Sequence, residues 1–497
     1  MRCSPGFSLL LVLLLGAPAV AGPWDVPPEG SCQPAAGLRG WPPGQDAPPI
    51  PFAPGDTIGH ERAEILRNYL PPEIWEHRDK FFYEGMRLEI GACFRDYSAP
   101  GFYQEATAQF AGKPQLDAEG ALRGYTAGRP FPPEKIDPAD SQAGHKWAWN
   151  VEFRYQGAGF GGKFRIMDMV GRTHRGEPFE GEIFKWQLNF RNDQAKKAYK
   201  AKGAKSYQWA AGGLFFMPFA AREFSWRQFR DVGMLTEARR TDDLHAYLPE
   251  WRRVRRLPAT DTEGLYLPSF GVGVVPATEL TIGGGGGGAA GLGAGGMGGG
   301  GVSGGTGGGA AASSIKPSRN GFEGLEIRPL LYRYKVRGVQ DVLSPINANQ
   351  PAYPENKDRG FGSWGLSFAS DRWDLRRALV LEATAKHVGS GTDAAKQVYY
   401  IDLQTGQPLF LASWDKRGEI IDVGMYVGRW SEDRESYPAW PDDAERAIRV
   451  IDPAGAAMAN VRDEGGWRRE SWDIVATPPK DSEMRRLLSV GQLTKRR

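Results

Sequence analysis

The sequence predicts a mainly β protein in which one large antiparallel sheet, curled or closed, is accompanied by a few helices. Short runs rich in valine, isoleucine and aromatic residues recur along most of the chain, and residues that favour tight turns separate these runs. Helical periodicity is confined to a few short segments. Evenly spaced strands joined by short turns are typical of one large antiparallel sheet.

Residues 1–21 have the pattern of a secretory signal peptide. Arg2 precedes the apolar run Leu9–Leu15, and the small residues Ala19-Val20-Ala21 provide a cleavage point. The apolar run is too short for a membrane span, which needs about 20 residues. We therefore expect export, cleavage after residue 21 and a periplasmic location. Because Cys32 does not directly follow the cleavage point, no lipid anchor is expected.

Two of the three cysteines remain after cleavage. Cys3 lies in the signal peptide, whereas Cys32 and Cys93 stay in a compartment where disulfides persist. An even count in that compartment predicts a disulfide between Cys32 and Cys93, and two unrelated buried thiols are the alternative. Neither cysteine has a partner at the spacing of metal ligands, so no metal site is expected.

Composition divides the chain into five segments. They are the signal peptide 1–21, a proline-rich leader 22–54, a first strand-rich part with N-terminal helices 55–281, a glycine-rich flexible insertion 282–318 and a second strand-rich part with a C-terminal tail 319–497. The insertion lacks the phosphate-loop motif, because Lys316 is followed by Pro317 rather than by serine or threonine. We expect both strand-rich parts to belong to one β domain that the insertion interrupts.

The individual elements follow from local patterns. Helices are predicted at residues 58–69, 73–82 and 482–493, and these short helices would serve as lids on a sheet. Long strands are predicted at residues 146–155, 163–170, 182–190 and 325–336. In the strand at 182–190, alternation places Phe184 and Trp186 on an oily face and Ile183 and Lys185 on a wet face.

A meander of short strands is predicted toward the carboxyl end. Strands at 397–401, 407–414 and 419–427 are joined by turns at 402–406 and 415–418. Each turn carries aspartate early and glycine at its exit, and these residue types tolerate the dihedral angles of tight turns.

Residues 244–257 combine a predicted hairpin with a cluster of four arginines. Strands at 244–248 and 251–257 flank the turn signal Pro249-Glu250. The second strand contains Arg252, Arg253, Arg255 and Arg256. Acidic residues flank the cluster, the formal net charge is +3 and the chain is exported, so nucleic acid is not expected as a partner. The arginines are either a solvated outer face or the rim of a site that contacts an acidic group.

Several motifs resemble those of a known group of exported proteins. They are Phe131-Pro132, Asp137 to Asp140 followed by Gly144-x-Lys146-x-x-Trp149-Asn150, Tyr247-Leu248-Pro249-Glu250 with Arg252-Arg253-Val254-Arg255-Arg256-Leu257-Pro258, Tyr400-Ile401-Asp402 with Thr405-Gly406 and Pro408, Asp415 with Gly418, and Tyr437-Pro438-Ala439-Trp440-Pro441. The hairpins resemble periplasmic lipoprotein-sorting proteins of the LolA/LolB type. The whole set resembles an uncharacterised exported family related to those outer-membrane lipoprotein-sorting proteins, discontinuously over residues 120–441. The glycine-rich insertion departs from the family pattern.

The resemblance implies a large half-open antiparallel β-barrel with a few lid helices and a hydrophobic cavity for acyl chains or a similar lipid. It implies a periplasmic carrier for transport toward or from the outer membrane, with a membrane exporter and outer-membrane components as partners. A lipid that crosses an aqueous compartment needs such a carrier, because each methylene exposed to water costs about 0.8 kcal/mol. Candidate cavity residues are Trp147 and Trp149 on one face of the predicted strand, Phe184, Trp186 and Trp414. The alternative for each is packing in the core.

No catalytic motif is present in the sequence. The six histidines are scattered without a metalloprotease spacing, and Gly-x-Ser-x-Gly is absent. We therefore expect a binding protein without a cofactor rather than an enzyme. Because the sixteen tryptophans also suit sugar platforms, the alternatives are a carbohydrate-binding or scaffold protein of the cell envelope and, less favoured, a polysaccharide hydrolase.

Overall fold

The structure of the protein is a computed structural model. It describes residues 22–33, 48–157, 159–170, 174–175, 179–187, 208–217, 222–231, 243–247, 252–257, 326–355, 359–386, 394–440, 443–462, 467–476 and 489–494. The predicted signal peptide, the glycine-rich insertion and residues 482–488 of the predicted C-terminal helix lie outside these described residues.

Strands dominate the described residues, which confirms the predicted mainly β class. In chain order the strands are β1 (Thr57–Ile58), β2 (Leu88–Cys93), β3 (Gln115–Leu116), β4 (Leu122–Arg123), β5 (Gly159–Val170), β6 (His174–Arg175), β7 (Phe179–Gln187), β8 (Gln208–Met217), β9 (Arg222–Asp231), β10 (Asp243–Tyr247), β11 (Val254–Leu257), β12 (Tyr332–Ser344), β13 (Arg372–Ala385), β14 (Lys396–Asp402), β15 (Pro408–Trp414), β16 (Ile420–Trp430), β17 (Ala439–Trp440), β18 (Asp443–Ala447), β19 (Ile451–Asn460) and β20 (Trp467–Ala476). The α-helices are α1 (Pro72–Glu76), α2 (Gly101–Phe110) and α3 (Ala143–Glu152). The 3-10 helices are His60–Tyr69, Arg78–Lys80, Pro133–Lys135, Ser431–Asp433 and Val490–Gln492.

Sixteen of these strands form one sheet. Its hydrogen-bonded order is β1-β2-β13-β14-β15-β16-β19-β20-β5-β7-β8-β9-β10-β11, with β12 also paired to β13 and β6 to β5. The meander β14-β15-β16 is antiparallel, whereas β2 and β13 are parallel. The pairing of β20 with β5 joins strands from both sides of the glycine-rich insertion into one sheet.

The predicted meander and hairpin are confirmed. In the meander, the Asp402 carboxylate accepts a hydrogen bond from the Thr405 amide at 2.8 Å, and the Asp415 carboxylate accepts one from the Arg417 amide at 2.8 Å. These side chains hold the two turns in place as the sequence predicts. In the hairpin, β10 and β11 pair antiparallel with Leu244 opposite Leu257. The predicted strand at 325–336 begins later than expected, at the start of β12.

Helices are few, as predicted. The helix expected at 58–69 is the 3-10 helix His60–Tyr69. The one expected at 73–82 divides into α1, which has Pro72 at its first position, and the 3-10 turn Arg78–Lys80. Sequence patterns did not indicate α2. Among the residues that the structure describes, no helix is long and apolar enough to cross a membrane.

The predicted strand at 146–155 is wrong, because these residues lie mostly in α3. The alternation of Trp147, Trp149 and Val151 with smaller or polar residues fits a strand of period two. In the structure all three of these side chains are buried, together with Ala148 and Asn150 between them. A short helix buried around most of its circumference shows no polar face, so periodicity does not separate it from a strand.

Specific contacts hold α3 in place against β12. An added Cβ at Gly144 would lie 2.2 Å from the Tyr334 carbonyl oxygen, so glycine permits the close approach of the helix to the strand. The Asn150 amide accepts from the Phe131 backbone N–H at 2.9 Å and donates to the Phe131 carbonyl at 2.6 Å. Trp149 Nε1 donates to the Gly120 carbonyl at 2.9 Å. The motif residues around α3 therefore act in docking the helix.

Both faces of the central strands are buried. We call the side of the sheet on which α3 packs the helix face and the opposite side the far face. Leu381, Tyr399 and Leu411 are buried on the helix face in one cluster with α3. Their sequence neighbours Tyr400 and Phe410 are buried on the far face with the N-terminal part of the described chain. This two-sided burial explains why β13 to β16 are apolar along much of their length.

A disulfide links the leader to the sheet. Cys32 and Cys93 are bonded, with their Cα atoms 5.3 Å apart. The Gly30 amide also donates to the Cys93 carbonyl at 2.9 Å. Because Cys93 is the last residue of β2, the described part of the leader is attached to that strand.

Asp433 joins three separate segments. Arg95, which follows β2, donates to the two Asp433 carboxylate oxygens at 2.7 and 2.6 Å. Asn347 Nδ2 and Arg372 Nη2 donate to the same carboxylate at 2.9 and 3.2 Å. Burial alone would raise the pKa of Asp433, but the hydrogen bonds from Arg95 and Asn347 and the charges of Arg95 and Arg372 outweigh it and lower the pKa to about 2.

Substitution Asp433→Asn tests this junction. A carboxylate with a lowered pKa contributes stability that is present above its ordinary pKa and is lost as the pH falls through about 2. We expect the variant to be less stable than the wild type at neutral pH, with a difference that shrinks as the pH falls from about 4 to about 2. Thermal unfolding followed by circular dichroism measures this difference, and a pH-independent difference would contradict the assignment.

Candidate ligand-binding face

An apolar stripe lies on the helix face of β20, β5, β7, β9 and β10. Its members are nearly or fully buried and belong to the same core cluster as α3. They are Phe160, Phe164, Ile166, Ile183, Trp226, Leu244, Ala246, Trp472 and Ile474. The stripe extends the apolar surface of the central strands across β20 and the strands that precede the insertion.

The strand register shows how the apolar stripe is built. Ala246 lies opposite Trp226, which in turn lies opposite Gly213. Gly213 lies opposite Ile183. Directly opposed residues point to the same face, so these four positions form one row across four strands. An added Cβ at Gly213 would lie 2.9 Å from Trp226 Nε1, so glycine leaves the room that the indole ring occupies.

The faces predicted for β7 are wrong. Ile183 and Lys185, expected on a wet face, are fully buried on the helix face. Phe184 is half-buried on the other face of β7, and an added Cβ at Gly161 would lie 2.7 Å from its ring. Alternation identifies two faces but not which one is deeper, and a lysine can be buried when a carboxylate neutralises it. Trp186 belongs to β7, but its side chain lies outside the described part of the structure.

A buried charge cluster, formed by Arg154, Gln156, Lys185 and Glu326, lies beside the apolar stripe. Lys185 Nζ donates to the Glu326 carboxylate and to Gln156 Oε1, the latter at 3.1 Å. Arg154 Nη2 lies 3.5 Å from the same Glu326 oxygen. The side chains of Arg154, Lys185 and Glu326 are at most 3% exposed. Because Glu326 precedes β12, the cluster ties the chain beyond the insertion to β7 and to the end of α3.

The surroundings of Lys185 are weakly solvated. Burial lowers the pKa of Lys185 to about 8, and the neighbouring Glu326 carboxylate opposes this shift only in part. Burial also lowers the pKa of Arg154, again against the charge of Glu326. The charge of Glu326 therefore favours the protonated form of Lys185 against the cost of burial.

The predicted cavity tryptophans do not converge on one site. Trp147 and Trp149 lie in α3, where Trp147 packs edge to face against Trp24 with ring centroids 5.4 Å apart. Trp414 is half-buried at the end of β15 and packs at the margin of the far-face core. Lys396 Nζ lies 4.0 Å from the centroid of the Trp414 ring. The tryptophans of α3 and the tryptophan of β15 are thus separated by the sheet.

The four arginines of the hairpin differ in their surroundings. Arg255 is half-buried and lies opposite Ala246, so its position in β11 directs it to the face of the apolar stripe. The exposed members are Arg252, Arg253 and Arg256. Arg252 has a φ of 51°, in the left-handed region, where the chain bends before β11. The hairpin therefore brings one arginine toward the stripe and leaves three in solvent.

Sequence reasoning did not identify the buried charge cluster or Trp226 as part of the site. A signal was present in β7, because Lys185 is two residues from Ile183 and must share its face in a strand. No comparable signal pointed to Glu326, whose pairing with Lys185 spans 141 residues. Among the described residues, no group of three histidine, cysteine, aspartate or glutamate side chains is placed to hold a metal ion.

Comparison with known protein families identifies the family of this chain. The model of the family described as "Protein of unknown function (DUF1329)" matches residues 57–269 and 319–444, on the two sides of the glycine-rich insertion. The chain belongs to the DUF1329 family. The family resemblance predicted from the sequence motifs is confirmed at this level.

Several crystal structures are similar to this chain. A domain described as an outer membrane lipoprotein-sorting protein, from Vibrio parahaemolyticus, has 12% sequence identity and a TM-score of 0.35, and the match covers 69% of this chain and 97% of that one. A DUF1329 family protein from Desulfovibrio piger has 13% identity and a TM-score of 0.36, with 70% and 96% covered. A LolA superfamily protein from Nitrosomonas europaea has 11% identity and a TM-score of 0.29, with 69% and 96% covered. No curated protein matches the sequence significantly.

Substitution Lys185→Met tests the buried charge cluster. The variant leaves Glu326 buried without its closest cation, and we expect a loss of about 3–5 kcal/mol in the free energy of unfolding. The double variant Lys185→Met/Glu326→Leu removes both charges and should recover part of that loss, because Arg154 then keeps only the charge of Glu152. Chemical denaturation followed by tryptophan fluorescence measures both changes.

Arg337→Gln is the control for this cycle. Arg337 pairs with Glu382, but its side chain is 49% exposed, so we expect a change of less than about 1 kcal/mol. A double variant that is as unstable as Lys185→Met would show that the two buried charges are not coupled.

Proposed function

We propose that this protein is a periplasmic carrier that binds a hydrophobic ligand, such as an acyl chain or another lipid, on the helix face of a half-open β-barrel. The observation that carries the proposal is the apolar stripe, which aligns large apolar side chains across β20, β5, β7, β9 and β10. Hiding an acyl chain from water contributes about 0.8 kcal/mol for each methylene. The carrier would serve transport toward or from the outer membrane, together with an exporter and outer-membrane components.

Glycine pairs support the half-open barrel in this proposal. In β7, Ile183 and Phe184 have glycines on both sides. Gly162 and Gly161 of β5 lie opposite them on one side, and Gly213 and Gly212 of β8 lie opposite them on the other. Glycine in a strand favours sharp bending, and a bend at the same level of adjacent strands curls a sheet. The sheet would curl around the helix face, with α3 as a lid and the β10–β11 hairpin at the rim.

Substitution Ala246→Phe tests the ligand face. Ala246 is fully buried between Trp226 and Arg255 in neighbouring strands, so a phenyl ring there would fill the space that a ligand must open on this face. We expect binding of the fluorescent fatty acid parinaric acid to weaken about tenfold or more. His245→Phe is the matched control, because the next residue of the same strand points to the other face. Fluorescence titration measures both affinities after circular dichroism has verified the fold.

The wild type alone provides a second measurement. Mass spectrometry of an organic extract from natively purified protein is expected to detect a bound lipid. Equal affinities of the two variants would contradict the site. A wild type that carries no lipid, binds no probe and is retarded in a polysaccharide gel would replace the carrier with a carbohydrate-binding protein.

The hairpin arginines are proposed to contact the acidic headgroup. Replacing Arg252, Arg253, Arg255 and Arg256 by glutamine should weaken parinaric acid binding by several-fold to about a hundredfold, with a smaller loss at high salt. Arg255→Gln should account for most of this loss, because its position faces the apolar stripe. Displacement of the probe by a fatty alcohol is the control. A fatty alcohol carries no charge, so its affinity should not depend on these arginines. Unchanged affinity and salt dependence in the quadruple variant would show that the arginines are a solvated outer face.

A further inference from the structure

A pocket of about 290 Å³ lies where the end of β16 meets the start of β13. It is lined by Asn347, Ala348, Asn349, Arg372, Arg429, Trp430, Asp433 and Arg434. None of these residues belongs to the apolar stripe. Three arginines and two asparagines therefore surround a space that is open to solvent and polar in character.

Two of the three arginines are held by the protein itself. Arg372 Nε donates to the Asn347 carbonyl at 2.9 Å, and its Nη2 donates to Asp433 at 3.2 Å. Arg434 Nη1 donates to Asp452 at 2.6 Å and to the Ile474 carbonyl at 2.9 Å. These bonds fix the two guanidinium groups at the wall of the pocket without using all of their donors.

The third arginine, Arg429, has no such support. Within the part of the chain that the structure describes, its guanidinium forms no hydrogen bond or ion pair. Burial lowers the pKa of Arg429, and the positive charge of Arg434 adds to this effect. The carboxylates of Asp371, Asp452 and Asp473 oppose it from a distance.

The nearby carboxylates are already engaged with other groups. Asp371 pairs with Arg359 and accepts a hydrogen bond from the backbone N–H of Asn349 at 2.7 Å. Asp452 accepts from Arg434 and, at 2.8 Å, from the Tyr437 hydroxyl. Asp473 lies 3.7 Å from Arg434 Nη2. Asp433 is bound by Arg95, as described above. The pocket therefore offers a half-buried guanidinium whose five donors form no hydrogen bond within the described residues and can meet the acceptor oxygens of a bound anion.

We propose that this pocket binds a phosphate-type oxyanion, with Arg429 as its principal ligand. A phosphate group has several acceptor oxygens and up to two negative charges, so it can meet guanidinium groups from β13, β16 and the following turn together. The same chemistry is present in free phosphate and in the headgroup of an anionic phospholipid. The site does not depend on the ligand proposed for the apolar stripe.

Isothermal titration calorimetry with inorganic phosphate tests the proposal. The wild type is expected to bind, and Arg429→Met is expected to lower the affinity about tenfold or more. Arg429→Lys keeps the charge but not the planar donors. Its affinity for phosphate should therefore lie between those of the wild type and Arg429→Met. Arg337→Gln, an arginine of β12 outside the pocket, should bind as the wild type does. Equal affinity in Arg429→Met, or no binding by the wild type to either phosphate source, overturns the proposal.

Two further measurements separate the phosphate sources and avoid dependence on a folded variant. In the wild type, inorganic phosphate should protect Arg429 from modification by phenylglyoxal, while Arg337 stays reactive, as peptide mass spectrometry would show. Flotation with phosphatidylcholine vesicles, with and without phosphatidic acid, shows whether a lipid phosphate is bound. Protection by free phosphate without flotation identifies a soluble anion, and flotation that requires phosphatidic acid and Arg429 identifies a headgroup. If neither inorganic phosphate nor phosphatidic acid reduces the labelling of Arg429, the proposal is overturned.

Discussion

The fold depends on covering one large sheet on both faces. The central strands direct apolar side chains to alternate sides, so Tyr399 reaches the helix face and Tyr400 the far face. Neither side can be left in water, because each large apolar side chain contributes roughly 1.5–3 kcal/mol when it is buried. The helix α3 and the N-terminal segments meet this requirement from opposite sides. The disulfide between Cys32 and Cys93 attaches the leader to β2 and thereby keeps one covering segment close to the sheet.

Because both faces of the sheet are buried, several charged side chains inside the molecule are paired with opposite charges. An ion removed from water must find a partner, and the described interior contains several paired arginines and one paired lysine. Arg376 is fully buried against Asp402, and Lys185 is buried against Glu326. The first pair is anchored in the turn of the meander, and the second joins segments on either side of the insertion. Such pairs favour one arrangement of the strands, because any other register would leave a buried charge alone.

The residues that carry the family resemblance have structural roles in these contacts. Gly144, Trp149 and Asn150 dock α3, and Asp402 forms a turn and a buried ion pair. Tyr437 donates to Asp452 and accepts from the Ala476 amide, so it ties β19 to the end of β20. The motifs that resemble the DUF1329 family therefore hold the scaffold together. The two proposed ligand sites, the apolar stripe and the arginine-lined pocket, lie elsewhere.

The sequence by itself determined the mainly β class, the meander and the β10–β11 hairpin, because turn residues and period-two patterns act over a few neighbouring residues. It did not determine α3, since Trp147 and Trp149 fit a strand as well as a buried helix. It also did not determine the deeper face of β7 or the candidate site. Burial of Lys185 depends on Glu326, which is 141 residues away, and the environment of Arg429 depends on segments that only the folded chain brings together. Long-range pairing of charges and the choice of buried face are properties of the tertiary structure, because they depend on neighbours that local sequence does not specify.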